Sequence, residues 1–440
     1  MKTCETLIEC RWIASCAAPG EVLENHAVAI DQGQIIAVLP QTRAHDEFSP
    51  RTTVKRPQHL LTPGFVNTHT HAAMSLMRGI CDDLPLDDWL RRRIWPTEQR
   101  IVGAEMVRDG TTLAVAEMLA SGTTCFADMY FYADSSALAA EKAGIRMVAG
   151  LIVSDQPSRY AGNYEAYLQK GLQIHDQLRG SALISTQFAL DSPTAGSDSE
   201  LIRLQALADE LDLRVHMHAQ ETRAQTLGCI EQFGQRPLQR LKKLGLLTDM
   251  LSIAHGVDLS SDDIQMLADV GAHVAHCPES NAKLASGIAP VVELRRAGVN
   301  VALGTDGAAS NNDLDMLSEM KSSIFCARLR EGRTDALDAY SALETATING
   351  ARALGLATRI GSVETGKSAD LTIIDLDHPA TWPVYSPVSQ MMYAASRDQI
   401  TDTWVAGKAV YENASHKTID LSEVRARSLE WQQRISQPVR

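Results

Sequence analysis

Two histidines one residue apart, His69 and His71 in Asn67-Thr68-His69-Thr70-His71, are the first residues of the chain whose types and spacing could do chemistry. In extended backbone, residues i and i+2 project to one face, so both imidazoles can share one ion. Alone, such a pair is more often inert than not. Further ligand types fall at or just after the ends of other strand-like runs. His216 and His218 close residues 214–218, His255 closes 250–255, and Asp306 follows 299–303 in Gly304-Thr305-Asp306-Gly307. In a parallel βα barrel the carboxyl ends of the strands meet at one mouth, where active sites are built. Three imidazoles and a carboxylate there suit zinc or a neighbouring divalent ion and leave room for water. An ion so placed lowers the pKa of water to around 7 and supplies hydroxide at neutral pH. Attack on a carbon bearing an amino group then needs two proton carriers. Asp306 stands beside the ion, and Glu221, three residues past His218, is placed to reach a substrate ring. The competing account of Glu221 is a carboxylate at a helix N-terminus, favoured by the dipole.

The elements able to position these residues are short apolar runs alternating with longer segments of helical period. Strands are predicted over 61–66, 123–129, 146–152, 182–189, 214–218, 250–255, 273–277 and 299–303, with helical segments such as 105–121, 198–211 and 261–270 between them. This alternation predicts an α/β fold, a (β/α)8 TIM-like barrel. A doubly wound sheet would alternate similarly, and the choice rests on where the polar residues fall. Outside this region, 7–12, 27–30 and 35–39 near one end and 370–375 and 403–410 near the other are short, Gly-punctuated β-like segments. Both chain ends are therefore expected to build one small β-sandwich, residues 1–60 with 365–440, around a catalytic barrel over 61–364.

With 440 residues, 45% hydrophobic and 22% charged, the chain can bury a large core and has an ordinary globular composition. A formal charge of −13 argues against a nucleic-acid partner, which needs a concentrated basic face. The densest basic run, Arg91-Arg92-Arg93, is read as a solvated helix face. Glu5 and Glu9 interrupt the first apolar stretch and no later run approaches a membrane span, so a cytoplasmic protein without a membrane partner is expected. Eight cysteines without CxxC spacing are read as free thiols. One motif points elsewhere: Gly361 to Ser368, GSVETGKS, fits the phosphate-cradling GxxxxGK[ST]. That loop needs a strand before it and a helix after it. Here a helical segment, 342–354, precedes it and the strand-like 370–375 follows, so it is read as a turn into the small domain.

The segments PGFVNTHTH, HAQET at His218 to Thr222, HCPESNAKLASG and LGTDGAASNND together resemble the amidohydrolase superfamily and, within it, most of all the 5-methylthioadenosine and S-adenosylhomocysteine deaminases. The likeness runs over residues 61–375. It implies one divalent ion on His69, His71, His218 and Asp306, with zinc as the default and iron or manganese as alternatives. It selects His218 over His216 because the family's catalytic glutamate lies three residues after its ligand. It further implies that Asp306 is also the general base, that Glu221 shuttles a proton to the ring nitrogen, and that His255 orients or stabilises the attacking hydroxide and the tetrahedral intermediate. Glu98, in Trp95-Pro96-Thr97-Glu98, matches the glutamate that grips ribose hydroxyls; without the family it would be an exposed helix-start carboxylate.

One departure concerns the substrate. After the fourth strand the family typically has Pro-His-(Ala or Ser)-Pro-Tyr, where this chain has Leu190-Asp191-Ser192-Pro193-Thr194. An anion replaces a neutral donor, and a site built to hydrogen-bond one group can discriminate by about 10⁴-fold against a ligand lacking it. Asp191 either accepts a ribose hydroxyl or caps the next helix. Arg159 is the candidate for the arginines that contact substrate in some members. A binding-only role would show a lost ligand or proton carrier, and none is lost. The implied reaction is hydrolytic removal of the C6 amino group from an adenosine-type nucleoside, with Glu98, Asp191, Glu221 and Asp306 facing this small-molecule substrate. The alternative is a related amidohydrolase acting on another amino- or halo-substituted heterocycle of pterin, guanine or triazine type. A homo-oligomer is compatible with either.

Overall fold

The computed structural model describes residues 1–437. Four N-terminal strands come first: β1 (Lys2–Ala14), β2 (Val22–Asp31), β3 (Gln34–Pro40) and β4 (Phe48–Pro63). Eight more follow, each separated by helical segments: β5 (Phe65–Thr70), β6 (Thr123–Asp128), β7 (Arg146–Val153), β8 (Ile184–Leu190), β9 (Val215–Ala219), β10 (Leu251–His255), β11 (His273–His276) and β12 (Asn300–Leu303). The chain then returns with β13 (Leu371–Asp375), β14 (Ile400–Val405), β15 (Lys408–Glu412) and β16 (Ser415–His416). The outer strands form one sheet in the order β16-β15-β14-β13-β4-β1-β2-β3, and the inner eight form a parallel sheet ordered β12 to β5. Antiparallel pairing of β4 with β13, from Leu371 opposite Pro63 to Asp375 opposite His59, ties the two chain ends together. Ile8, Val28, Ile35, Leu61, Ile373 and Trp404, drawn from both ends, share one apolar cluster.

The inner sheet curls into the expected barrel. Its first and last strands meet through side chains: Asn67 Nδ2 donates to Thr305 Oγ1 (2.8 Å), Thr305 N to Asn67 Oδ1 (3.0 Å), and Thr68 Oγ1 to the Leu303 carbonyl (2.8 Å). The Asp306 amide then donates to the His69 carbonyl at 2.9 Å. Gly304 permits this approach, because a Cβ there would lie 2.7 Å from His69 Cβ and 2.8 Å from its amide nitrogen.

The predicted strand over 61–66 is corrected by the structure. Leu61 to Pro63 finish β4 in the outer sheet, and β5 begins at Phe65 and runs through Thr70. Residues on both sides of Gly64 are buried, so the apolar run carries no sign of the change of sheet. The switch falls at a glycine whose Cβ would lie 2.1 Å from Thr124 Oγ1. The expected helix over 342–354 is two short helices, Ala339–Thr345 and Ile348–Ala353. Thr347 interrupts them, with φ −131° and ψ −95° and its hydroxyl bonded back to the Leu343 carbonyl at 2.7 Å.

Helices Asp198–Leu211 and Ser261–Val270 lie where expected, each opened by a serine capping box. The final helix, Leu421–Ser436, lies on the barrel: Trp431 Nε1 donates to Asp109 Oδ2 at 2.9 Å, and Trp431 and Ile435 pack in a cluster with Met74, Trp89 and Tyr130. The GSVETGKS segment leads into β13 and is tied down within itself and to β3, with Lys367 Nζ on Ser362 Oγ (2.5 Å) and the Gly366 amide on the Ile35 carbonyl (2.8 Å). No helix among the described residues is long and apolar enough to cross a membrane.

The seam at Gly304 yields a stability prediction. Gly304→Ala should cost about 1–3 kcal/mol by overpacking against His69 and should weaken metal retention. Denaturant melts and elemental analysis check this; an unchanged midpoint would show that the strands do not meet as described.

Candidate metal centre

The carboxyl ends of β5, β9, β10 and β12 bring His69, His71, His218, His255 and Asp306 together. His69 Nε2 lies 3.4 Å and His71 Nε2 3.2 Å from Asp306 Oδ1, and His218 Nε2 lies 3.3 Å from His71 Nε2. Ring nitrogens of His69, His218 and His255 also lie within 4.8 Å of one another. The opposite edge of each ring is held. His71 Nδ1 donates to the Met129 carbonyl (2.6 Å), His218 Nδ1 to the Asp191 carbonyl (3.0 Å), and His255 Nδ1 to Asn281 Oδ1 (2.9 Å). An oxygen there can only accept, so each Nδ1 carries the proton and each neutral ring presents a lone pair at Nε2. When both rings are neutral, two such lone pairs face each other between His71 and His218. The buried His69 Nε2 has no hydrogen-bond partner. This donor set fits a divalent cation.

The electrostatics make the same demand. Burial opposes ionisation of Asp306, but the His69 and His71 rings beside it hold its carboxyl well below the usual carboxylate range. Its Oδ2 accepts the hydroxyls of Ser280 and Ser310, both at 2.7 Å, and its Oδ1 the Gly307 amide at 2.8 Å. Burial disfavours a charged His71, yet Asp306 outweighs it and raises that ring to about 9. Burial and the neighbouring imidazoles push His218 well down. The cluster therefore calls for positive charge beside Asp306, which a cation supplies more fully than a proton.

Backbone strain marks the same positions. His255 (φ +71°) and Asp306 (φ +62°) are left-handed, a conformation costing of order 1–3 kcal/mol at a non-glycine residue. Asn281 holds the first side chain, and Ser280, Ser310 and Gly307 hold the second. Sequence reasoning did not single out these supports, although Ser280 and Asn281 lie inside HCPESN and Ser310 inside DGAAS.

Glu221 is buried just past β9, near enough to His255 and Asp306 for their charges to act on it. Thr222, not Glu221, caps the helix Arg223–Phe233. Burial raises the Glu221 carboxyl, and Gln225 Nε2 donates to its Oε2 at 3.3 Å. Glu98, on the helix Trp95–Ile101, is half-buried and accepts the Tyr130 hydroxyl at 2.7 Å. Burial raises it to about 7, against the lowering effect of that hydroxyl. Neither carboxylate is the exposed helix-start group that position alone would suggest. Asp191 is exposed at the mouth and is not the cap of the next helix, which Ser197 provides. Arg159 stays outside the cluster, donating from Nη1 to the Arg100 carbonyl at 2.6 Å. His216 lies behind His69, with Nε2 2.8 Å from His69 Nδ1, so geometry separates it from His218.

A cation site of imidazoles and one carboxylate at the mouth of a (β/α)8 barrel defines a metal-dependent hydrolase. The chain belongs to the amidohydrolase family, whose model matches residues 60–410. It is a hydrolase of carbon–nitrogen bonds other than peptide bonds. Over 433 residues, 98% of each chain, it is 41% identical to the 5-methylthioadenosine/S-adenosylhomocysteine deaminase of Teredinibacter turnerae. An adenosine deaminase from Xanthomonas campestris, solved with bound zinc, superposes with a TM-score of 0.97 at 45% identity and covers 99% of both chains. An atrazine chlorohydrolase from Arthrobacter aurescens, solved with zinc, gives a TM-score of 0.90 at 22% identity over 97% of this chain and 99% of that one, a likeness of fold alone.

Elemental analysis checks the ligand set. His218→Ala and Asp306→Ala should purify depleted of metal and without turnover; full metal content in either would remove that residue from the set.

Proposed function

We propose that the protein removes the C6 amino group of an adenosine-type nucleoside (5-methylthioadenosine, S-adenosylhomocysteine or adenosine) to give the inosine analogue and ammonia. The observation that carries this reading is the joint placement of two raised carboxyls, Glu221 and Glu98, beside the imidazole–aspartate cluster. The deaminase names of the relatives support it. In this reading His69, His71, His218 and Asp306 hold one divalent ion, zinc by default, with iron or manganese able to serve. The ion, when bound, acts as a Lewis acid that brings the pKa of water near 7.

The chain's own residues then move the protons. His255, its Nδ1 fixed on Asn281, turns Nε2 toward the attacking water and orients it. Asp306, held in place by the Ser280 and Ser310 hydroxyls, accepts the water proton. Glu221 carries a proton at higher pH than an ordinary carboxyl and donates it to the ring nitrogen as oxygen adds to C6. The proton held by Asp306 passes to the amino group, the C6–N bond breaks and ammonia leaves, while the C6 hydroxyl returns its proton to Glu221 as the carbonyl of the inosine analogue forms. Glu98, with Oε1 taken by Tyr130, offers Oε2 to the ribose hydroxyls.

Asp191 acts on substrate choice. Its carbonyl orients His218, and its carboxylate stands where the family typically has a neutral histidine. That exchange favours, as the second reading, a related amidohydrolase working on a pterin, guanine or triazine type of ring. Residues 61–364 form the catalytic unit, supported by 1–60 and 365–440, of which 438–440 lie outside the described residues, and the enzyme works in the cytoplasm on a small molecule, without nucleic acid.

The test is ammonia release by metal-replete protein from the three nucleosides, beside a free purine base and a pterin. At least one nucleoside should react, and Asp191→His should raise kcat/KM for 5-methylthioadenosine. Reaction with only the base or the pterin would defeat the nucleoside reading.

A further inference from the structure

β9 carries two buried histidines, and only His218 meets the ligand cluster. The other, His216, is 1% exposed and lies against His69, itself 0% exposed. The two rings are tilted by 48° with centroids 5.0 Å apart, and the close approach is edge to edge, His69 Nδ1 to His216 Nε2 at 2.8 Å. This contact differs in kind from those holding the other rings. Met129, Asp191 and Asn281 each offer an oxygen, which fixes the proton on Nδ1 of His71, His218 and His255. An imidazole nitrogen can accept or donate. His69 therefore has two tautomers open to it. In one, Nδ1–H points at His216 and Nε2 is free to ligate. In the other, His216 Nε2–H points at His69 Nδ1, and the proton on His69 Nε2 faces Asp306 Oδ1 at 3.4 Å. The second form puts a proton on the ligating nitrogen and cannot bind a metal there; in neither form does the buried His216 Nδ1 have a hydrogen-bond partner.

We propose that His216 is a positioning residue for the metal: its Nε2 accepts the His69 Nδ1 proton and so keeps the His69 Nε2 lone pair directed into the cluster. The same proton count serves both forms, so metal binding shifts one proton along each ring and releases none from this pair. This explains why β9 carries a histidine at 216 although it does not reach the cluster. It rests on the reading of His69 as a metal ligand.

The experiment measures zinc affinity of metal-stripped protein by competition with a chromogenic chelator, together with the visible spectrum of the cobalt-substituted form. His216→Gln keeps an oxygen acceptor near the Nε2 position; His216→Leu keeps bulk without an acceptor; His216→Asn keeps polarity but is too short to reach His69. Partners of this kind typically contribute roughly 10–100-fold in metal affinity, so Leu and Asn variants should lose about that much, with altered cobalt bands. The Gln variant should recover to within several-fold of the parent, with the parent spectrum. Parent-like affinity in the Leu or the Asn variant overturns the proposal, as does a Gln variant as weak as the other two, which would assign the effect to packing. Should the Leu variant not fold, the Gln and Asn pair decides the question alone. If the parent itself binds no metal, the reading of His69 as a ligand fails; if parent and variants bind alike, only the role of His216 fails.

Discussion

With both rings neutral, nitrogen lone pairs of His71 and His218 face each other at 3.3 Å, and Asp306 Oδ1 stands 3.2 Å from one of those nitrogens. Left to themselves in a buried space these electron-rich atoms repel, and a positive charge between them is what makes the arrangement stable. Most of what is distinctive in the barrel mouth serves that constraint. Carbonyl groups at 129 and 191 fix the tautomers that turn the lone pairs inward. The seam between β5 and β12 carries the carboxylate to the histidines, and it closes because Gly304 has no side chain to hold the strands apart.

The strain at His255 and Asp306 follows from the same geometry. At the end of β10 and just past β12 the chain turns sharply in left-handed backbone, at His255 and Asp306. The turn persists because the loops after β11 and β12 hold what it presents. Asn281 fixes the His255 ring, and Ser280 and Ser310 occupy the outer oxygen of Asp306. Hydrogen bonds to a buried carboxylate are worth more than those between neutral groups, so these two hydroxyls stabilise the ionised form that the centre requires.

The sequence made the barrel legible because its strands are fully buried apolar runs separated by amphipathic helices, and helices such as Asp198–Leu211 announce their starts with serine caps. It could not locate the change of sheet at Gly64, because the residues on both sides are buried and look alike. The helix break at Thr347 was hidden for a related reason: a side-chain bond to a carbonyl four residues back leaves the apolar period intact. Within the site, the residue types and strand ends named the cluster, but the spacing of His216 and His218 could not say which one reaches it. That distinction is one of depth along β9, which appears only when His69 is seen between the two levels. Position left Glu221 open between a ring contact and a helix-start carboxylate and, without the family, favoured the latter for Glu98; burial and the Tyr130 and Thr222 contacts separate both from ordinary helix-start carboxylates.

The central claim is that one cation sits among these nitrogens and that Asp306 balances it. Anomalous diffraction at the zinc edge, from crystals of protein stripped of metal and reloaded with zinc, tests it most directly. The account predicts a single peak about 2.0–2.2 Å from Nε2 of His69, His71 and His218 and from Asp306 Oδ1. A peak bound instead by His216, or one that leaves Asp306 out of contact, would contradict it.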